Sequence, residues 1–170
     1  MIYIFDNLTD KIDFATILVY ILESPSDHKF IFTGKDKIFY DHLIDQPKIK
    51  GYLATYYPNL KQKYTELLSN KLVFTLDYKK CVSDLKNQKY IIFGTTPNKL
   101  DSENVFSTKL TKKCAFVFGS ENGLSKEKKE LLSKLVHYPL KNASFLKLRH
   151  IFPIVYGINM HKQFKPIRLK

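Results

Sequence analysis

The chain has 170 residues and a mass of 19.9 kDa, and 44% of its residues are hydrophobic and 14% aromatic; that suffices for one buried core, and neither a disordered tail nor a multidomain enzyme is expected. A net charge of +12 and a pI near 9.5 favour polyanionic partners over a small neutral ligand acting alone. Two cysteines, Cys81 and Cys114, lack metal-like or redox-like spacing and fit a reducing, intracellular compartment such as the cytoplasm, and no apolar run reaches the roughly 18 residues of a membrane span.

In chain order, short apolar runs alternate with helical patterns, which predicts an α/β fold with a mainly parallel six-stranded sheet flanked by helices. Ile2–Phe5 reads as the first strand, Asp10 caps a helix through Phe14–Leu22, and Phe30–Thr33 is the second strand. The stretch from Tyr40 to Asn70 is interrupted by Pro47 and Pro58, with Leu60–Leu68 helical inside it. Leu72–Thr75 is the third strand, and a helix opened by Asp77 or Tyr78 runs through Leu85. Tyr90–Phe93, Cys114–Phe118 and Val136–Leu140 complete the sheet, rich in the β-branched and aromatic residues of buried parallel strands. Ser125 caps a helix whose Leu131, Leu132 and Leu135 share a face. The last helix is predicted over Ser144–Lys162, with a kink or a later start demanded by Pro153. No linker divides residues 1–170, so one domain is expected.

All but two of the 28 basic residues are lysine, the exceptions being Arg149 and Arg168. The last acidic residue is Glu130, and beyond it stand Lys134, Lys141, Lys147, Arg149, Lys162, Lys165, Arg168 and Lys170. A one-signed field over that quarter of the chain attracts phosphates and nominates Lys147, Arg149, Lys162 and Lys165 as RNA contacts.

Two strand-to-helix junctions stand out, because open α/β sheets bind ligands where parallel strands end. The first is Phe93-Gly94-Thr95-Thr96-Pro97, which also reads as an ordinary turn; the second, Phe118-Gly119-Ser120-Glu121-Asn122-Gly123-Leu124-Ser125, has two glycines that let backbone approach a ligand closely. Neither has the spacing of a dinucleotide fingerprint or a phosphate-binding loop. No HExxH, CxxC or acidic cluster suggests a metal, no GxSxG suggests a serine hydrolase, and His137 reads as a satisfied core or edge residue.

The string from Cys114 to Ser125, the amphipathic stretch after it, Val136-His-Tyr-Pro-Leu140 and Ser144-Phe-Leu resemble the C-terminal half of the SpoU-type RNA 2′-O-methyltransferases of the SPOUT superfamily. Those enzymes carry an FGxExxGL loop, an Ile-Pro-Met strand end and a Ser-Leu-Asn helix start in the same order. The resemblance implies a C-terminal trefoil knot, a homodimer, and S-adenosylmethionine held by Phe93, Gly94, Thr95, Gly119, Gly123, Tyr138, Leu140, Ser144 and Phe145. It further implies Glu121 and Ser144 as catalytic residues and transfer of a methyl group to a ribose hydroxyl of tRNA or rRNA. Two departures bear on this: residues Lys11–Tyr20 lack the family's Asn-Ile-Gly turn and arginine, and Leu146 stands where its asparagine orients the site. The alternative they raise is a catalytically inactive protein that serves RNA binding or ribosome assembly.

Overall fold

The computed structural model describes residues 1–97, 102–119, 123–137 and 146–163. Among these, β1 (Ile2–Asp6), β2 (Lys29–Thr33), β3 (Leu72–Thr75), β4 (Ile91–Thr96), β5 (Glu103–Asn104), β6 (Cys114–Phe118) and β7 (Lys134–His137) form one sheet in the order β3-β2-β1-β6-β4-β7-β5. Every pairing is parallel. Strand β6 is inserted between β1 and β4, and β7 between β4 and β5.

Period-two alternation sorts the sheet's side chains by kind. Tyr3, Phe5, Phe30, Phe32, Phe116 and Phe118 face one side, whereas Ile2, Ile4, Ile31, Ala115 and Val117 face the other. Helices α1 (Lys11–Glu23) and α7 (Leu148–Gln163) cover the aromatic side, with the ring of Phe152 between 5.2 and 5.7 Å from those of Tyr3, Phe5, Tyr20, Phe118 and Tyr156. Helix α5 (Tyr78–Asn87) covers the aliphatic side through Tyr78, Val82 and Leu85. Between β2 and β3 run α2 (Lys37–Asp45), α3 (Pro47–Tyr56) and α4 (Leu60–Asn70), which extend the aromatic-side core with Tyr40, Leu53 and Tyr64.

Asp10, Asp77 and Ser125 accept backbone N–H bonds as the predicted helix caps. Pro47 opens α3 instead of breaking a helix, because the first turn needs no proline N–H. Strand β4 runs on through Gly94, Thr95 and Thr96, which pair with Leu135, Val136 and His137, so the expected turn there is strand. The helix after Ser125 is only α6 (Lys126–Glu130); Leu135 lies in β7, which begins two residues before the predicted Val136. Helix α7 continues through Pro153. The predicted extension of β7 through Leu140, the predicted start of the last helix at Ser144 and the C-terminal knot concern segment 138–145, outside the described residues.

One buried titratable group sets a pH dependence. His28 is 1% exposed, its Nε2 lies 3.2 Å from Gln163 Oε1, and its Nδ1 has no partner among the described residues. Burial first, then the amino terminus, push its pKa below the usual 6.5, against upward pulls from Gln163 and Asp27 and with a smaller downward push from Lys71. The folded state therefore resists a proton that the unfolded chain accepts. Urea midpoints are expected to hold above pH 6.5 and to fall as the pH drops below it, and a His28→Gln variant is expected to flatten that decline.

Candidate functional site

Parallel strands put β1, β4, β6 and β7 in register so that Asp6, Thr96, Phe118 and His137 end at one edge. The helices that follow β1 and the β7 connection start at that same edge, so the first turns of α1 and α7 meet there. The loop after β6 closes tightly on itself. A Cβ built on Gly119 would stand 2.4 Å from the carbonyl carbon of Gly123 and 2.5 Å from the nitrogen of Leu124, distances only a glycine tolerates. Gly123 has φ +70°, and buried Leu124 seats the loop's far end in the aliphatic core. The neck of this loop is thus made of main chain alone.

Gly94 has a different reason to be glycine. Its missing side chain would meet Leu132 Cδ1 at 2.5 Å and Leu135 Cδ2 at 2.9 Å, so the leucines expected on one helix face instead pack across β4. The ring of Phe93 is buried and stacks on Phe116 at 5.0 Å, which leaves only its backbone for any ligand. Thr95 Oγ1 donates to the Val117 carbonyl at 3.0 Å, tying β4 to β6 at the edge. His137 is buried, as its apolar strand predicts, with Nδ1 2.8 Å from Ser102 Oγ. Glu121, Tyr138, Leu140, Ser144, Phe145 and Lys165 lie outside the described residues.

The predicted RNA contacts separate in space. Arg149 reaches α1: its backbone N–H and guanidinium donate to Asp13 Oδ1 at 3.3 and 3.2 Å, with Asp10 Oδ1 3.7 Å away. Asp13 is 3% exposed; burial and then Asp10 push its carboxyl pKa up, and Arg149 opposes both. Lys162 donates to the carbonyls of Val105 and Thr108, and burial pushes its pKa down, so its ammonium braces the turn after β5. Lys147 is exposed at the entrance to α7.

Sequence reasoning missed a latch at the centre of the edge. Buried Asp6 accepts from Thr33 Oγ1 at 2.8 Å and from Lys128 Nζ at 2.6 Å. The Lys128 ammonium lies 5.2 Å from the centroid of the Tyr78 ring, and Tyr78 Oη donates to the Lys128 carbonyl at 3.1 Å. This holds α6, and with it the far end of the glycine loop, over the end of β1. The available signal was an aspartate closing an otherwise apolar strand.

A model of the SpoU rRNA methylase family matches residues 55–145, which hold β3, β4, β6, β7 and the glycine loop. The chain belongs to the SpoU rRNA methylase family. The fold of such methylases recurs in solved structures. The SpoU methyltransferase AviRb from Streptomyces viridochromogenes, in complex with the cofactor AdoMet, superposes with a TM-score of 0.70 at 16% identity, over 98% of this chain and 61% of that one. The TrmH/SpoU tRNA modifying enzyme of A. aeolicus gives 0.66 at 16% identity, over 95% and 74%. A structure described for 2-OH methylation of C/U34 on tRNA gives 0.72 at 11% identity, over 97% of each chain. The chain spans 57 to 61% of the length of several of these structures. No curated protein matches it. Among the described residues no helix is long and apolar enough to cross a membrane, and no group of three acidic, histidine or cysteine side chains is placed to hold a metal ion.

Proposed function

We propose that this chain is an S-adenosylmethionine-dependent RNA methyltransferase that modifies a ribose 2′-hydroxyl of tRNA or rRNA and works as a homodimer with a knotted C-terminal segment. The observation that carries this is the family match, whose span includes the side-chain-free neck at Gly119 and Gly123 at the carboxyl edge of the sheet. Structural neighbours bound to AdoMet, and one described for 2-OH methylation, support the cofactor and the ribose.

The described residues fit a nucleoside cofactor in that the neck of the loop after β6, at Gly119 and Gly123, offers main chain near the ends of β4 and β7. Phe93, Gly94, Thr95, Gly119 and Gly123 would frame it through the main chain, with Tyr138, Leu140, Ser144 and Phe145. The cofactor supplies an electrophilic methyl on a sulfonium; the chain's part is to align the hydroxyl with it and receive the hydroxyl proton, with Glu121 and Ser144 as the polar groups assigned to the reacting end. Lys147, Arg149, Lys162 and Lys165 contribute the positive field that gathers RNA.

A tritiated methyl group is expected to pass from S-adenosylmethionine into bulk tRNA or rRNA and to survive in alkali-resistant dinucleotides, since a methylated 2′-oxygen cannot attack its phosphate. Label in alkali-labile nucleotides would overturn the ribose assignment. Bound cofactor is expected to stabilise the fold by about 2.7 kcal/mol at a hundredfold excess over Kd; no calorimetric heat and no thermal shift would remove the enzyme reading.

A second reading, an RNA-binding or ribosome-assembly protein without catalysis, is favoured by one observation. The stretch Lys11–Tyr20 has no arginine, and Arg149 faces the carboxylates of Asp13 in α1 and of Asp10, which caps that helix. RNA binding without methyl transfer would select it.

A further inference from the structure

Helix α3 buries only Ile49 and Leu53 within its ten residues. Flanking these two, Lys48, Tyr52 and Tyr56 recur at every fourth residue and so lie along a single stripe at the exposed margin of the helix. Tyr52 is 46% exposed and Tyr56 58%, and their ring centroids are 5.6 Å apart with planes tilted by 58°. Both rings leave apolar area unburied where the chain could have placed polar groups. Residues 47–56 include two lysines and no acidic residue. Lys50 lies off the stripe, 3.6 Å from Asp45, so Lys48 is the cation that accompanies the rings.

The stripe is not part of the edge described above. Tyr57, next in sequence after α3, donates its hydroxyl to Glu23, the last residue of α1. Helix α1 begins at the carboxyl edge with Asp10 and returns to the start of β2, so Tyr56 stands at the opposite, amino edge of the sheet.

We propose that Lys48, Tyr52 and Tyr56 form a stacking platform for single-stranded RNA. Unpaired bases stack on the tyrosine rings, and the lysine faces the phosphate between or beside them. Stacking on two rings is indifferent to base identity, so the platform holds a loop or an unpaired flank without reading its sequence. The net charge of +12 favours a polyanion over a protein at this face. Its small flanking residues, Gly51 and Thr55, provide little of the roughly 800 Å² per partner that a stable protein interface buries. The inference rests on the reading of RNA as substrate and adds to it a second contact, remote from the reacting nucleotide.

The test uses the full chain, with fluorescence anisotropy of labelled single-stranded oligoadenylate and of the same strand in a duplex. Tyr52→Ala/Tyr56→Ala is expected to weaken binding of the single strand by about thirtyfold while leaving the duplex within a few-fold. Tyr52→Phe/Tyr56→Phe is expected to retain wild-type affinity, since stacking needs rings and not hydroxyls. Lys48→Ala is expected to lower the dependence of log K on log salt by about one. The thermal shift with S-adenosylmethionine is expected to stay unchanged in all three, because the replaced groups are remote from the carboxyl edge; the phenylalanine pair and Lys48→Ala are expected to keep the melting temperature, and the double alanine variant to lose only what half-exposed rings bury. Wild-type affinity in the double alanine variant would overturn the platform and leave the methyltransferase reading in place. Failure of the wild type to bind either RNA would overturn the RNA reading and the platform together. If the double alanine variant instead split a dimer in sedimentation while binding RNA normally, the stripe would be a protein interface and the proposal would fall.

Discussion

Gly119→Val is expected to abolish cofactor binding and to destabilise the fold by about 3 kcal/mol or more, as overpacking against backbone does. A single added Cβ meets Gly123 and Leu124 main chain at 2.4 and 2.5 Å, and backbone has no rotamer by which to step aside. The two ends of the loop must separate, which drags Leu124 out of the aliphatic core and pulls on α6 through Lys128 and Asp6. The same substitution at Gly94 meets leucine methyls, which can rotate, and is expected to cost less. Chemical denaturation and titration calorimetry with S-adenosylmethionine read the two effects separately. A Gly119→Ala variant that keeps both wild-type stability and cofactor affinity would show that the neck is wider than described and that its closure has no bearing on the site.

Phe152→Ala is expected to destabilise the chain by about 3–5 kcal/mol, the range for deleting a fully buried aromatic ring. The ring has no exposed surface and touches Tyr3 and Phe5 of β1, Phe118 of β6, Tyr20 of α1 and its own neighbour Tyr156. Three elements distant in sequence lose a common filler, and the cavity lies under the start of β6's loop. Urea unfolding measures the loss directly. A cost below about 1 kcal/mol would mean that the aromatic side of the sheet repacks freely, against the fixed edge-to-face geometry around Phe152.

What could be read from the sequence follows from how local each signal was. The six runs announced strands because they are dominated by β-branched and aromatic residues with few polar ones between them, and Asp10, Asp77 and Ser125 announced helix starts because capping is a contact within three residues. Helices α2 and α3 were hidden: Pro47 looks like a breaker unless the chain is known to begin a helix there, and the helical spacing of Ile49, Tyr52, Leu53 and Tyr56 in α3 is short and lies between Pro47 and Pro58. Two-residue β5 has no pattern to find. At the candidate site, Gly119 and Gly123 were visible as glycines, but that they touch was not, since the contact depends on how Gly123 turns the chain back on itself. The pairings of Asp6 with Lys128 and of Asp13 with Arg149 span 122 and 136 residues, beyond what any spacing rule reaches. Lys162 was singled out for its charge, whereas its surroundings give it carbonyl partners.

The insertion of β6 and β7 between strands made earlier sets the order in which the chain can acquire structure. Until Cys114–Phe118 has been synthesised, β1 and β4 have no common neighbour, and Ile2 waits for Ala115 as its partner. Closure of such distant pairs is entropically slow. A nascent chain that has emerged only through β4 therefore holds a three-stranded β3-β2-β1 sheet with open edges and an unpaired β4, and these depend on the last third of translation, or on a chaperone, to keep from joining other chains.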